Sequence, residues 1–120
     1  MFDVLMSVYD NEIPDNLKDA LCSISLQTLK PNEVVLVLDG PIKSSLLDVI
    51  ESYRAMISIR TVQLEKNVGL GESLRIGMSY CSSEYIIRCD SDDINRKDRF
   101  ERLYEAISVS LPSISVIGSS

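Results

Sequence analysis

The stretch IIRCDSDDINR, Ile86 to Arg96, sets Asp90, Asp92 and Asp93 within four residues behind an apolar run. Carboxylates that close repel one another, so a cation, a helix N-terminus or bulk water must make the crowding tolerable. Asp90-Ser91-Asp92 is a DxD triplet. Hard cations such as Mg²⁺ or Mn²⁺ take oxygen ligands of this kind, commonly one or two carboxylates completed by substrate phosphates. The plainer reading has one aspartate capping the next helix while the others are solvated. An EF-hand is a poorer reading, because the sixth position from Asp90 is Asn95, where that loop has glycine.

Two further places carry chemistry. Asp39 ends the run Val34-Val35-Leu36-Val37-Leu38, where its carboxylate can accept an N–H from a nucleobase or cap a turn before Gly40-Pro41. The segment from Lys66 to Gly71 has glycines that admit close backbone approach and then opens a helix whose N-terminus favours anions. It lacks the GxGxxG spacing of a dinucleotide site. Arg88, Arg96, Lys97 and Arg99 can offset the aspartates or belong to a solvated face.

The chain has no histidine and three cysteines, Cys22, Cys81 and Cys89, without a CxxC pair. Zinc sites and Ser-His or Cys-His catalysis are thereby disfavoured. The thiols sit in apolar stretches and read as buried and reduced, which suits the cytoplasm. A net charge of -6 argues against a nucleic-acid binder, which would show a basic face. The start MFDVLMSVYDNE lacks the pattern of a signal peptide, and no run approaches the ~20 apolar residues of a membrane span.

Positioning these groups requires a scaffold, and 120 residues suffice for one domain with a core. Val4 to Val8, Val34 to Leu38, Ile59 to Leu64, Tyr85 to Cys89 and Ile114 to Ile117 are strand-length and nearly continuously apolar, as in a sheet covered on both faces. Between them lie helical stripes: Leu17, Ala20, Leu21, Ile24, with Asp15 or Asn16 as N-cap; then Leu46, Leu47, Ile50, Tyr53, started by Ser44 or Ser45. Leu70, Leu74, Met78, Cys81 and Phe100, Leu103, Tyr104, Ile107 complete the set. The pattern is β-α-β-α-β-α-β-α-β, an α/β fold with a mostly parallel sheet and right-handed crossovers. The polar clusters fall at strand ends, and ligands of open α/β sheets bind beyond the carboxyl ends of the strands.

In order, LMSVYDNE, ALCSISLQTLKPNEVVLVLDG, LEKNVGLGESLRIGM, SEYIIRCDSDDINRKDRF and VIGS resemble the family 2 glycosyltransferases, over essentially all 120 residues. The resemblance implies the Rossmann-like, nucleotide-binding half of a GT-A fold and a nucleotide-diphosphate sugar donor, most often a UDP-sugar. Backbone at Ser7, Val8 and Tyr9 would frame the base, with the Tyr9 ring against it. Asp39 would read the base and Asp90 lie near the ribose or diphosphate. Asp92, with Asp93 close by, would hold Mn²⁺ or Mg²⁺. Lys66, Asn67 and Gly69 would line the nucleotide pocket, with Arg75 on its wall. Two departures stand out: Leu38-Asp39 where the family often has paired aspartates, and Asp10 where it often has asparagine.

The implied reaction is metal-dependent transfer to an acceptor hydroxyl with inversion, in bacterial surface polysaccharide or glycan synthesis. The acceptor would be a glycan or lipid-linked, and the site cytoplasmic or at the inner membrane face. The catalytic base is expected beyond Ser120, in a chain that reads as an N-terminal part of a larger domain and whose cut strand edge could favour oligomers. Two rivals remain: a receiver-type phosphoacceptor domain with Asp39 as acceptor, and a catalytically inert nucleotide-binding domain.

Overall fold

Alternating apolar runs and amphipathic stripes build the expected series: β1 (Phe2–Val8), α1 (Pro14–Ser25), β2 (Val34–Leu38), α2 (Ser44–Tyr53), β3 (Ile59–Gln63), α3 (Leu70–Met78), β4 (Tyr85–Arg88), α4 (Arg99–Ser108) and β5 (Ser115–Ile117). The computed structural model describes residues 1–108 and 115–117, with side chains through residue 106. Residue 114, the Ile107 side chain and residues 118–120, all used in reading the sequence, lie outside the described residues. The strands are parallel in the order β3-β2-β1-β4-β5. A receiver domain runs 2-1-3-4-5, so that rival falls; the order here is that of a Rossmann-type sheet.

Strand alternation sends β1 to two cores. Phe2, Val4, Met6 and Val8 face a layer made by α1, α2 and Phe100 of α4, while Leu5 joins Val35, Val37, Val62 and Ile86 under α3. The edge strand β3 departs from the expected two-sided burial, with only Val62 buried. Helix α4 departs in another way. A β4-to-β5 crossover of the same hand as those through α1 and α2 would place it with α3, yet it packs on the face of α1. No helix among the described residues is long and apolar enough to cross a membrane.

The caps differ from the sequence reading. Helix α1 is capped by Ile13, because Pro14 occupies the first helical position, and neither Asp15 nor Asn16 bonds there. Helix α2 begins at Ser44 behind an N-cap Lys43, and no serine hydroxyl caps it. The Lys43 N–H instead donates to Asp10 Oδ1 at 2.8 Å.

Helix α3 corrects the reading of its apolar stripe. Leu70 is 52% exposed and Met78 also faces outward, while Ser73 and Gly77 are buried against the sheet. The cause is close approach: a Cβ on Gly77 would lie 2.5 Å from Leu5 Cδ1 and 2.6 Å from Val37 Cγ2. Small residues therefore form the contact face, and Leu74 and Ile76 flank it. Cys81 lies past the helix end. All three thiols are free, but only Cys89 is buried; Cys22 and Cys81 are half-buried.

At the opposite end of β1 from the polar strand ends, Asp3 is fully buried. It accepts the Ser82 and Ser83 N–H groups at 2.8 and 3.1 Å, the Ser83 hydroxyl at 2.7 Å and the Asn32 amide at 3.2 Å. Burial pushes its carboxyl up, but these donors, led by the Ser83 hydroxyl, outweigh it and hold the group below its ordinary value. Its stabilisation is thus complete above about pH 4, the unfolded value, and is lost as pH falls through the folded value. Asp3→Asn should cost roughly 1–3 kcal/mol at pH 7 by setting an amide N–H₂ among donors. Urea midpoints of both proteins should converge as the pH drops below about 4; a gap independent of pH would contradict the assignment.

At the rim, Gly40 has φ +90°, and a Cβ there would meet the Asn67 nitrogen at 2.7 Å. Gly69 shares the positive φ, at +93°, but a Cβ would enter open space. Either Gly→Ala change incurs backbone strain of roughly 1–3 kcal/mol. Gly40→Ala adds a collision with the backbone of a second loop, so it should lower the thermal midpoint more than Gly69→Ala. Equal losses would mean that the loop contact is soft.

Candidate functional site

The carboxyl ends of β1, β2 and β4, with the loop before α3, enclose a cleft of about 400 Å³. It is the crevice expected beyond the strand ends of an open parallel sheet. Strand β1 supplies Ser7 and, just past its end, Tyr9, a residue 47% exposed. Past β2 stands Asp39; past β4 stand Asp90 and Asp92; the loop contributes Asn67 and Gly69.

Asp39 is buried, and its carboxylate is engaged. Oδ1 accepts the Val68 N–H at 2.8 Å and Oδ2 the Gly69 N–H at 3.2 Å, while the Asn67 amide donates to its carbonyl at 3.3 Å. Both readings of this residue are therefore present: it stands in the cleft, and it organises a loop, though one 29 residues ahead rather than the local turn. A carboxylate oxygen has capacity for a second donor, so the loop bonds leave room for a ligand N–H. Val8 is core, and its carbonyl accepts the Asp39 N–H at 2.8 Å, joining the two strand ends.

Ser7 is fixed from α3, its hydroxyl 2.6 Å from that of the fully buried Ser73. Four residues of the expected set stay outside the cleft lining: Val8, Asp93, Lys66 and Arg75. Lys66 is exposed on the loop, and Arg75 is exposed on α3 in a bidentate pair with Glu72. The Arg75 pair raises its guanidinium and lowers the Glu72 carboxyl, chiefly through their hydrogen bond.

The acidic loop folds on itself. Asp90 N–H donates to Asp93 Oδ2 at 3.0 Å, and Asp93 N–H to the Asp90 carbonyl at 3.1 Å. Arg88 pairs with Asp90 at 3.3 Å, a half-buried contact. Oxygens of Asp90, Asp92 and Asp93 lie within 4.8 Å of one another, close to what two metal–oxygen bonds of roughly 2.0–2.6 Å span. The donor set is all carboxylate, which suits a hard divalent ion and not zinc. Cys89, next in sequence, adds no thiolate, because burial pushes its thiol up to about 11.

Downstream, the loop is fastened to α1. Asn95 donates to Ser23 Oγ through its N–H at 2.9 Å and its amide at 3.1 Å. Gln27 donates to the Arg96 carbonyl and accepts the Phe100 N–H at 3.0 Å. Arg99 closes the cluster on the Asn95 oxygen.

Sequence reasoning passed over Glu12, which also lines the cleft beside Ser91 and Leu70. An acid two residues before Pro14 reads as an ordinary helix-start residue, and only the fold brings it to Ser91, 79 positions away. With it, among the described residues, four acids line the cleft, Glu12, Asp39, Asp90 and Asp92, and no lysine or arginine does.

Comparison with known proteins places the chain in a family. The Glycosyl transferase family 2 profile matches residues 3–118. The chain is 46% identical over 100 residues to the UDP-Gal:alpha-D-GlcNAc-diphosphoundecaprenol beta-1,3-galactosyltransferase of Escherichia coli, covering 83% of this chain and 36% of that protein. It is 43% identical over 102 residues to the amylovoran biosynthesis glycosyltransferase AmsE of Erwinia amylovora, covering 85% and 38%. It thus spans a little over a third of the length of these relatives. S. aureus TarS 1-349 in complex with UDP superposes with a TM-score of 0.79 at 25% identity, over 90% of this chain and 32% of that one. Its complex with UDP-GlcNAc gives 0.79 at 27% identity, over 90% and 31%. The profile match, the relatives and the shared GT-A architecture lead to one conclusion: the chain belongs to glycosyl transferase family 2.

Proposed function

We propose that this cleft holds the nucleotide-diphosphate sugar, with a UDP-sugar favoured, of an enzyme transferring the sugar to an acceptor hydroxyl with inversion, and that it does so with Mn²⁺ or Mg²⁺. The observation that carries the reading is the cleft's charge. Among the described residues four carboxylates and no lysine or arginine line it, so a cation accompanying an anionic donor would offset their repulsion. The family fits such a donor, and UDP and UDP-GlcNAc occupy the similar TarS structures.

Each residue then has a task. The Tyr9 ring stacks on the base, whose edge meets Asp39 and the backbone around Ser7 and Val8. Asn67 and Gly69 border the nucleotide, Lys66 and Arg75 flank it from outside the cleft wall, and Asp90 lies toward the ribose or diphosphate. Asp92, assisted by Asp93, is the ligand for the metal. The ion, when bound, neutralises charge developing on the departing diphosphate. The acceptor oxygen bonds to the anomeric carbon as the bond to the diphosphate breaks, and the hydroxyl proton passes to a base. No residue of this chain is assigned as that base.

The E. coli relative is named for a polyprenol diphosphate sugar as its acceptor, and AmsE for amylovoran biosynthesis. By that likeness the acceptor here is a glycan or lipid-linked sugar in bacterial surface polysaccharide synthesis, handled on the cytoplasmic side. Asp92 is exposed, in contrast to the bonded Asp93, so its removal leaves the fold intact. Asp92→Ala should weaken UDP binding in Mn²⁺ by at least roughly tenfold and leave binding without metal unchanged. Calorimetry in both conditions checks this; equal affinities of variant and wild type in Mn²⁺ would refute the ligand assignment.

A further inference from the structure

We infer that Glu12 is a positioning residue for the acidic loop: its carboxylate fastens Ser91, and with it the flanking Asp90 and Asp92, to the corner between β1 and α1. The inference rests on the cation reading above and extends it to a residue outside the DxD triplet.

Glu12 and Ser91 are both nearly buried, 8% and 7% exposed. The Ser91 hydroxyl donates to Glu12 Oε2 in a short hydrogen bond, while Oε1 accepts the Ile13 N–H at 3.0 Å. Ile13 caps α1, so the second bond seats the carboxylate where the helix dipole favours negative charge. The acceptor is fixed from one side before it holds anything on the other.

The loop needs such an anchor. Repulsion among Asp90, Asp92 and Asp93 tends to open it, and the two bonds between Asp90 and Asp93 close the turn on itself without tying it to the body. Upstream, the Cys89 N–H is tied to the Leu5 carbonyl at 3.0 Å. Downstream, Asn95 is tied to Ser23. Between those points the Glu12–Ser91 bond ties the loop to the β1–α1 corner, and it acts at the middle residue of the triplet, so it sets both ends.

Glu12 acts through Ser91 and not as a ligand. The oxygens that gather within 4.8 Å of one another belong to the three aspartates, and Glu12 is outside that group. Both of its own oxygens are already in use. Glutamine can replace it in this role, because Oε1 can accept from Ile13 while Nε2 donates to the Ser91 oxygen.

The test measures UDP affinity of the purified protein by calorimetry across a Mn²⁺ titration, alongside its thermal midpoint. Glu12→Ala and Ser91→Ala should each raise the Mn²⁺ concentration at half-maximal effect by on the order of tenfold. The double variant should be no worse than Glu12→Ala alone, since that variant already lacks the bond that Ser91→Ala removes. Glu12→Gln should recover most of the response lost in Glu12→Ala. If Glu12→Gln fails as badly as alanine, the charge itself is needed and the positioning role is wrong. Additive losses in the double variant would also overturn it, as would a wild-type Mn²⁺ midpoint in folded Ser91→Ala, which removes a single hydroxyl. If wild-type protein binds UDP without any Mn²⁺ effect, the cation reading itself falls.

Discussion

Carboxylates that share a cleft push one another apart, and the architecture of this rim is a set of answers to that repulsion. Asp39 rests on the Val68 and Gly69 N–H groups, Glu12 on the Ile13 N–H and the Ser91 hydroxyl, and Asp93 on the Asp90 N–H. These donors are neutral and mostly backbone, so they hold each acid in place without cancelling its charge. Lysines there would have neutralised the cleft and closed it as ion pairs. The negative field is therefore kept, and its geometry is imposed from outside.

Helix α1 is the main source of that geometry. Its N-terminal corner holds the start of the acidic loop through Glu12, its C-terminal half holds the end through Ser23, and Gln27, just past the helix, adds to that hold. The helix is itself held by Leu17, Ala20, Leu21 and Ile24, all buried against β1 and β2. This accounts for the position of α4 on the α1 face: the bonds from Asn95, Arg96 and Phe100 draw the chain to α1 as it leaves β4. Helix α3 serves the other wall, where Ser73 and Gly77 let it lie close enough for Ser73 to reach Ser7.

Much of this was legible in the sequence because strands and their ends announce themselves. Apolar runs of Val and Ile gave all the strands to within a residue or two, and the residues immediately after β1, β2 and β4 do meet in one cleft. Reading failed where a contact is made between distant segments. The Lys43 N–H is taken by Asp10 and not by a neighbouring serine, a bond over 33 positions. Glu12 gains its meaning only from Ser91. Helix α3 was misread by its large residues, since periodicity rewards Leu and Met while the actual seat was decided by how near the helix could come. Asp3, at the far rim, gave no signal beyond being an acid in a strand.

The acidic loop divides its three aspartates into two kinds, and the division matters to the proposed cation. Asp93 is bound into the turn through its carboxylate, and Asp90 through its backbone with its carboxylate paired to Arg88, so both are largely placed before any ion arrives. Asp92 is exposed and has that ordering still to lose. A site built wholly of fixed carboxylates would concentrate like charge at a cost the fold must bear permanently; one built wholly of loose ones would lose rotamer entropy at every ligand on binding. Two fixed and one loose is a compromise between those limits. It makes Asp92 the side chain whose ordering should follow the ion, and it makes the stiffness of its neighbours, imposed through Ser91 and Asn95, the quantity on which cation affinity depends.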